Sequence, residues 1–385
     1  MSGVHVFLGP SLPVELARAE LDATYHPPVS CGDVTELVLD REPPACIVII
    51  DGLFEQVPTV WHKEILFALS RGTRVFGASS MGALRAAELH EFGMDGVGGI
   101  FERFASGEYQ DDDEVTIVHA PAEEGYQPLS EAMANLRAGL ASALAAGAIT
   151  AATHDLLVAA AKGTFYPERS WGQVHASGKQ LGVPAEELAA LREHVRTERP
   201  DAKRADALAV LREVREQLRQ GLRPPVVDFE LEPTYYWEKL LTVVRQQRAE
   251  AALRERTAVA PARLYDHLAQ QQPEVLRAAL CDVLVEQEAA RLGLLVPAKA
   301  RQQHLERLTA EGLLPAELLP ALAEREARTE ALAHRVRASL AEPVLTQLSR
   351  RGLVERIGAA VAAPERPAGE DAPGAALPKP GGRRE

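Results

Sequence analysis

The first 125 residues alternate short apolar runs with segments of helical periodicity, and this alternation most constrains the fold. The runs "VHVFLGPS", "CIVIIDG" and "TRVFGAS" are almost continuously apolar, and a segment with helical spacing follows each of them. Strands that are apolar on both faces are typical of a parallel sheet covered by helices on both sides. The sequence therefore predicts an α/β fold with a doubly wound, mostly parallel sheet, and a further strand at "DEVTIVHA".

The rest of the chain is predicted to be helical. From residue 129 onward the apolar periodicity is that of helices, except in the proline- and aromatic-rich stretch "GLRPPVVDFELEPTYYWEKLL". We place a domain boundary in that stretch. This predicts an α/β core domain with a helical extension over 1–225 and a helical domain over 233–362. The Pro/Gly-rich end, 363–385, lacks residues that could build a core and is predicted to be disordered.

The charge and composition argue against several kinds of partner. The 385 residues carry a formal net charge of −13 without a dense Lys/Arg block, which argues against nucleic acid or an anionic membrane as a partner. No apolar run approaches the roughly 18 residues that span a bilayer. The three cysteines have neither disulfide nor zinc spacing, and no phosphate-binding G-x-x-x-x-G-K-[ST] loop is present. We therefore expect a cytoplasmic protein without a metal or a cofactor.

Small, hydroxylic or ionisable residues stand at the ends of the predicted strands. In an open parallel sheet, ligands bind outside the carboxyl ends of the strands, so these residues are candidates for substrate binding. In chain order they are Ser11, Asp51, Gly52, Ser79, Ser80 and His119. A polar edge of this kind also occurs at ordinary junctions of strand and loop, so it marks a location and does not by itself define a function.

The turn "ASSMGA" has the pattern of a nucleophile elbow. Small residues stand two before and two after Ser80, a strand precedes it and a helix follows it. Such a turn exposes the hydroxyl and places N–H groups of the new helix, from Met81 and Gly82 onward, where they can hold an oxyanion. Two alternatives stay open: a serine that only caps a tightly packed helix, and anion binding without chemistry.

A serine nucleophile needs a base, and two histidines are candidates. His62 is near the start of the helix that follows the Asp51 strand, and His119 ends the fourth predicted strand. Each could equally be an ordinary surface or core residue, and Asp51 could be a turn former. The predicted catalytic set is Ser80, His62 and Asp51. The four carboxylates of residues 111–114 are most simply a solvated loop, with a metal or a basic partner as the alternatives.

Residues 47–140 closely resemble the core of TfuA-like proteins. The motifs that carry the resemblance are D-G-x-F, H-K-E-I, G-A-S-S-M-G-A-L-R-A-A-E-L, F-G-M-x-G-x-G-x-I and D-D-E-V, and all are present. The stretch "EPTYYWEKL" is also similar to the region that follows the family core. The helical segment beyond residue 250 carries no usable resemblance.

The resemblance implies a role in the biosynthesis of ribosomally made peptides. TfuA-like proteins accompany YcaO-type ATP-dependent enzymes that convert a backbone amide into a thioamide. The implied help is activation of the YcaO enzyme and release of sulfide from a ThiS-like sulfur carrier that ends in a glycine thiocarboxylate. The precursor peptide is a further implied partner. Since a thiocarboxylate is an acyl compound, its hydrolysis could use Ser80 and a base. The alternatives are a non-catalytic allosteric or scaffold partner and an unrelated small-molecule hydrolase.

Overall fold

The computed structural model describes residues 3–39, 42–54, 57–312, 316–354 and 356–357, which fall into two compact units that divide after Ala258. Within these residues the first unit contains a five-stranded sheet in the order β2-β1-β3-β4-β5, and every neighbouring pair is parallel. The strands are β1 (Val4–Phe7), β2 (Thr24–His26), β3 (Cys46–Ile49), β4 (Arg74–Ala78) and β5 (Asp95–Val97). This is a common doubly wound order, and it confirms the predicted fold class.

Helices cover both faces of the sheet in the first unit. One face packs against α2, α3 and α4 and the other against α1 and α10, so the strand side chains of β3 are buried throughout. A separate core joins α6, α7, α8 and α9. The helices are α1 (Val14–Glu20), α2 (Asp33–Val38), α3 (His62–Ser70), α4 (Met81–Leu89), α5 (Gly99–Ala105), α6 (Met133–Ala145), α7 (Ala151–Lys162), α8 (Trp171–Gln180), α9 (Ala185–Glu198), α10 (Ala202–Gln220) and α11 (Tyr235–Thr257).

Three strands differ from the sequence prediction. The predicted strand over 113–120 lies outside the sheet: a short 3₁₀ helix (Asp112–Glu114) opens it, and His119 near its end forms an isolated antiparallel bridge with Pro128. The strands β2 and β5 were not predicted. Each has three residues, and neither has the β-branched run that identifies a strand in a sequence.

The second unit is helical in its described part, as predicted. Its helices are α12 (Pro261–Gln271), α13 (Pro273–Arg291), α14 (Ala298–Glu311), α15 (Leu319–Arg335) and α16 (Ala341–Arg350). Leu308 of α14 and Ala323, Ala327 and Leu332 of α15 are buried, and His304 binds Glu330 at 2.9 Å. No helix in the described ranges is both long enough and apolar enough to cross a bilayer.

The predicted domain limits at 225 and 233 fall inside the first unit. Helix α11 packs against α2, and its Trp237 ring stacks edge-on against Phe67 of α3 at 5.2 Å. An aromatic residue that fills a core in this way ties its segment to that core. Independent folding of 233–362 stays a prediction, and the predicted disordered tail, 363–385, lies outside the described residues.

The start of α4 packs directly on the ends of β3 and β4, which requires glycine. A Cβ at Gly82 would lie 1.7 Å from the carbonyl oxygen of Ile49, and a Cβ at Gly77 would lie 2.1 Å from that of Gly82. Backbone atoms cannot yield as a flexible side chain can. The small residues of the turn therefore bring the N-terminus of α4 into contact with the carboxyl edge of the sheet.

We expect Gly82→Ala to lower the free energy of unfolding by about 3 kcal/mol, because the added methyl overlaps backbone in a close-packed core. Gly172→Ala is a matched control: Gly172 is also the second residue of a helix, but a Cβ there would meet only the Ser170 hydroxyl at an ordinary 3.7 Å. Urea unfolding of both variants checks the difference. An equal stability of the two would contradict the close approach of helix and sheet.

Candidate active site

The candidate site lies where the strand order reverses, between β1 and β3. Asp51 follows β3, and one of its oxygens accepts hydrogen bonds from the N–H groups of Gly9 (2.9 Å) and Ser11 (3.0 Å). The Ser11 hydroxyl donates to the other oxygen at 2.6 Å, and the Ser79 hydroxyl donates to Ser11 at 2.9 Å. The loops after three neighbouring strands are thereby joined at the switch point, where open α/β sheets bind their ligands.

The turn between β4 and α4 presents Ser80 and strains Ser79. Ser79 has a φ of 68°, in the left-handed region that costs a non-glycine residue energy, and it is fully buried. Ser80 occupies the N-cap position of α4, but its side chain makes no capping hydrogen bond. The Ser80 hydroxyl is therefore not used to cap the helix. The strain falls on the residue before the predicted nucleophile.

The Ser80 hydroxyl is paired with a buried lysine. The Nζ atom of Lys203, on α10, lies 3.1 Å from Ser80 Oγ and donates to the carbonyl oxygen of Val115 at 3.0 Å. Burial lowers the pKa of Lys203, while the negative charges of Asp51, Asp201 and Glu131 oppose that shift. A lysine whose neutral form is favoured can accept a proton, so this pair has the arrangement of a nucleophile and its base.

A small pocket opens onto this pair. It has a volume of about 70 Å³ and is lined by Asp51, Gly52, Ser80, His119, Tyr166 and Lys203, among others. Such a volume holds roughly two water-sized groups. Ser11 and Ser79 do not line this pocket; they stand behind Asp51 as its hydrogen-bonded support. The site therefore admits a group of a few atoms and not a bulky ligand.

The N-terminus of α4 presents the Met81 N–H as a candidate hydrogen-bond donor next to Ser80. The Gly82 N–H is directed to the carbonyl oxygen of Ile50 at 3.3 Å, as is the Ser80 N–H. The Met81 N–H has no acceptor among the described residues. It belongs to the residue after Ser80, which is the position that supplies an oxyanion donor at a nucleophile elbow. Of the two predicted donors, Met81 is thus available and Gly82 is occupied.

His62 has partners other than Ser80. Its Nε2 lies 2.8 Å from Glu88, which also accepts from Arg85 at 2.6 Å, and the His62 side chain is about half exposed. Burial raises the pKa of Glu88, but the hydrogen bond from His62 and the charge of Arg85 outweigh it, and the pKa is lowered overall. His62 does not line the pocket of Ser80. Its predicted role as the base finds no contact here to support it.

His119 lines the pocket but is oriented by its own loop. Its Nδ1 lies 2.8 Å from the carbonyl oxygen of Ala120, and its ring packs edge-on against Tyr126. No hydrogen bond joins it to Ser80 within the described part of the chain. It can therefore contact a bound molecule, while the amine closest to the Ser80 hydroxyl is that of Lys203.

The acidic run 111–114 is paired with basic side chains of the same chain. Asp113 binds Lys162 and Arg169, and Glu114 makes a two-pronged contact with Arg137 at 2.9 Å. In the described ranges, no three His, Cys, Asp or Glu side chains are grouped as a metal ion would require. The run fixes the segment before the pocket to α6 and α7, which positions Val115 against Lys203.

Lys203 is the residue that sequence reasoning missed. It is 123 positions from Ser80 along the chain. A signal existed: on α10 it shares one face with Ala207, Val210, Leu211 and Val214, all of which are buried. A lysine in register with an apolar stripe is unusual, since lysine is almost never fully buried unless it has a partner. That register could have identified it as a functional candidate.

The fold and the site define a class of protein: a doubly wound α/β protein with a serine–lysine pair at the carboxyl edge of its sheet. Residues 51–170 match the model of the TfuA-like protein family, which confirms the resemblance seen in the sequence. The match supports a thioamidation-associated role in company with YcaO-type partners. Ser80 lies inside the matched range and Lys203 lies beyond it. No curated protein shows significant similarity to the chain.

Proposed function

We propose that the chain releases sulfide from a thiocarboxylate by serine-dependent acyl transfer, and so supplies a YcaO-type enzyme with sulfur for peptide backbone thioamidation. One observation carries the proposal: the Ser80 hydroxyl lies 3.1 Å from a buried Lys203 amine, and both residues line one small pocket. The next residue, Met81, has an N–H group without an acceptor among the described residues. Nucleophile, base and oxyanion donor are the three parts that acyl transfer needs. The substrate class, a ThiS-like carrier that ends in a thiocarboxylate, is the one that the resemblance to TfuA-like proteins implies.

In the first step the Ser80 oxygen attacks the thiocarboxylate carbon. Lys203 takes the hydroxyl proton, and the Met81 N–H donates to the developing oxyanion. The carbon–sulfur bond then breaks, and the Lys203 ammonium returns its proton to the leaving sulfur. An acyl-serine ester and one HS⁻ are formed from the thiocarboxylate anion and the serine hydroxyl, so atoms and charge balance.

In the second step water cleaves the ester. Neutral Lys203 takes a proton from the water as it attacks, and the ammonium protonates the departing Ser80 oxygen. The products are the carrier carboxylate, one proton and the free serine. The same amine thus acts as base and acid in each half of the reaction, as microscopic reversibility requires.

Asp51 has a supporting role in this mechanism. Its carboxylate is fixed by three hydrogen bonds from Gly9 and Ser11 and lines the pocket that holds Lys203. Its negative charge raises the pKa of Lys203 against the lowering by burial, and so favours the protonated amine that the reaction forms. We therefore assign to Asp51 the stabilisation of the Lys203 ammonium, and not a direct proton transfer to the substrate.

Asp51→Asn should move the acid limb of the pH–rate profile to lower pH. The free enzyme needs neutral Lys203, so activity falls as the pH drops through the pKa of that amine. Loss of the Asp51 charge removes an interaction that raises this pKa, so the amine stays neutral to lower pH. Sulfide release measured across pH, each variant scaled to its own maximum, checks the direction. The exposed Asp22→Asn serves as the control. A shift to higher pH would contradict the assignment.

The test of the proposal is sulfide release by the purified chain. A short peptide that ends in Gly-Gly thiocarboxylate is the substrate, and sulfide is measured with a fluorescent probe. Brief mixing followed by intact-mass measurement should show the acyl-serine adduct, which hydroxylamine removes. Absence of both sulfide and adduct would reject hydrolysis.

A non-catalytic partner role is the second candidate, and the start of α11 favours it. Tyr235 and Tyr236 are 74% and 70% exposed, and neighbouring large aromatic side chains on a surface are typical of binding sites. A thioamidation assay with the YcaO enzyme separates the candidates. If Ser80→Ala supports thioamidation with added sulfide but not with a thiocarboxylate, the chain is a hydrolase. If it supports both equally, the chain acts as an activator or a scaffold.

A further inference from the structure

The segment 116–119 follows Val115, which still has helical dihedrals, and its strand-like main-chain hydrogen bonds lie on one side, where an isolated antiparallel bridge pairs His119 with Pro128. The Val118 N–H donates to the Ser130 hydroxyl at 2.8 Å, and the Val118 carbonyl oxygen accepts from the N–H groups of Leu129 and Ser130. Among the described residues, the N–H and C=O groups of Ile117 and His119 have no main-chain partner. Alternate residues of an extended chain direct their main-chain groups to opposite sides. Ile117 and His119 therefore form a free strand edge.

This free edge belongs to the wall of the catalytic pocket. All five residues of 115–119 line the pocket that holds Ser80, and the carbonyl oxygen of Val115 accepts a hydrogen bond from Lys203. Ile117 also lines a second pocket of about 320 Å³, and Lys203 lines both pockets. Ile117 and His119 therefore line the same pocket as Ser80 and Lys203.

We propose that the free edge formed by Ile117 and His119 binds the extended C-terminal tail of the acyl-donor protein as an added strand, with its acyl end at Ser80. The inference rests on the proposed function, since Ser80 fixes where the tail must end. Main-chain pairing explains how a tail without large side chains can be held, because the N–H and C=O groups of the tail supply the contacts.

The size of the pocket favours a thin chain end over other occupants. About 70 Å³ between Phe54, Tyr166 and His119 admits a terminal acyl group and excludes a bulky side chain. A second copy of the chain presents no acyl group to Ser80, and a free thioacid leaves the edge unpaired. The occupant that uses both the edge and the pocket is an extended tail that ends in a small residue.

A scan with N-methylated peptides tests the pairing on the full-length protein. The probes are six-residue peptide thiocarboxylates that end in Gly-Gly, each with one N–H replaced by N–CH₃. We expect the KM for sulfide release to rise about tenfold at alternate positions and to change little at the positions between them, because only every second residue faces the edge. A uniform effect, or an effect confined to the last residue, would overturn the inference.

Ile117→Pro tests the same pairing from the protein side, because proline has no N–H to donate. It should raise the KM for the unmodified peptide about tenfold, and Ile117→Ala, which keeps the N–H, should raise it less. With the Ile117→Pro variant, N-methylation at the most sensitive peptide position should raise the KM little further, because the hydrogen bond that it would remove is already lost. If the effects of Ile117→Pro and of N-methylation on the KM were additive, pairing at this edge would be contradicted. If the variant does not fold, the N-methyl scan on the natural chain decides.

Failure of the proposed function gives a different result from failure of this inference. Thioacetate has no chain to pair with the edge. Its hydrolysis, together with peptides that show no alternation, would overturn the tail-binding edge and leave the serine chemistry intact. If no thiocarboxylate is hydrolysed, the hydrolase proposal fails. In that case fluorescence anisotropy gives the Kd of each labelled N-methyl peptide carboxylate. A Kd that rises at alternate peptide positions supports binding at the edge, and a Kd without that alternation rejects it.

Discussion

Replacing Ser80 by alanine is expected to reduce sulfide release from a peptide thiocarboxylate by about 10²-fold or more. The variant lacks the oxygen that attacks the carbonyl carbon, and no acyl-serine adduct can form. The fold should persist, because the Ser80 side chain caps no helix and, within the described part of the chain, its side-chain hydrogen bond is to Lys203 alone. Steady-state sulfide release and intact-mass detection of the adduct measure the two consequences.

Ser79→Ala is the control for Ser80→Ala. The Ser79 hydroxyl contacts Ser11 and lies outside the pocket, so its loss should loosen the support of Asp51 and cost less than the loss of Ser80. A folded Ser80→Ala protein that still releases sulfide at close to the natural rate would contradict the nucleophile assignment. If Ser79→Ala lowered sulfide release more than Ser80→Ala, Ser79 would become the candidate nucleophile.

The fold was predictable where local sequence dictates local structure. The strands β1, β3 and β4 are buried on both faces and therefore appear in the sequence as short apolar runs. The segment 115–119 has the same β-branched character, yet it pairs on one side only and stays outside the sheet. Periodicity reports that a segment is extended and partly buried. It does not report which neighbour supplies the hydrogen bonds.

The candidate site was partly predictable for a similar reason. Ser11, Asp51 and Ser80 follow successive strands, and parallel strands bring their carboxyl ends to one edge, so their closeness follows from the fold class. The amine beside Ser80 comes from α10, and the packing of that helix on the sheet depends on contacts distant in sequence. Lys203 could be noticed only as a lysine on an apolar stripe, with nothing in the sequence to indicate its partner.

Several motif residues of the family-like region support the fold around the site. Glu64 is fully buried and accepts hydrogen bonds from Gly32, Thr35 and Trp61, and burial raises its pKa. Arg85 binds the carbonyl oxygen of Val60 at 3.1 Å. These contacts tie α3, α4 and the loop before α3 together. Charged residues in a motif are often taken as catalytic, but here their hydrogen bonds show that they hold backbone.

Replacing Lys203 by methionine is expected to lower sulfide release by about 10²–10⁴-fold, because the Ser80 proton loses its acceptor. The cost in stability should be small. The lost hydrogen bonds to Ser80 and Val115 cost about 1 kcal/mol each, whereas the burial penalty on an amine disappears. We expect the free energy of unfolding to change by no more than about 2 kcal/mol. Urea unfolding and sulfide release on the same sample separate the two effects.

Lys203→Arg asks whether the site needs a proton acceptor or only a positive charge. A guanidinium stays protonated, so it can donate to the Ser80 oxygen but cannot take its proton. We therefore expect this variant to be as inactive as Lys203→Met, although it keeps the charge that would attract an anionic thiocarboxylate. Release at close to the natural rate would show that Lys203 acts through its charge alone. The proton would then need another acceptor, and His119 is the histidine that lines the same pocket.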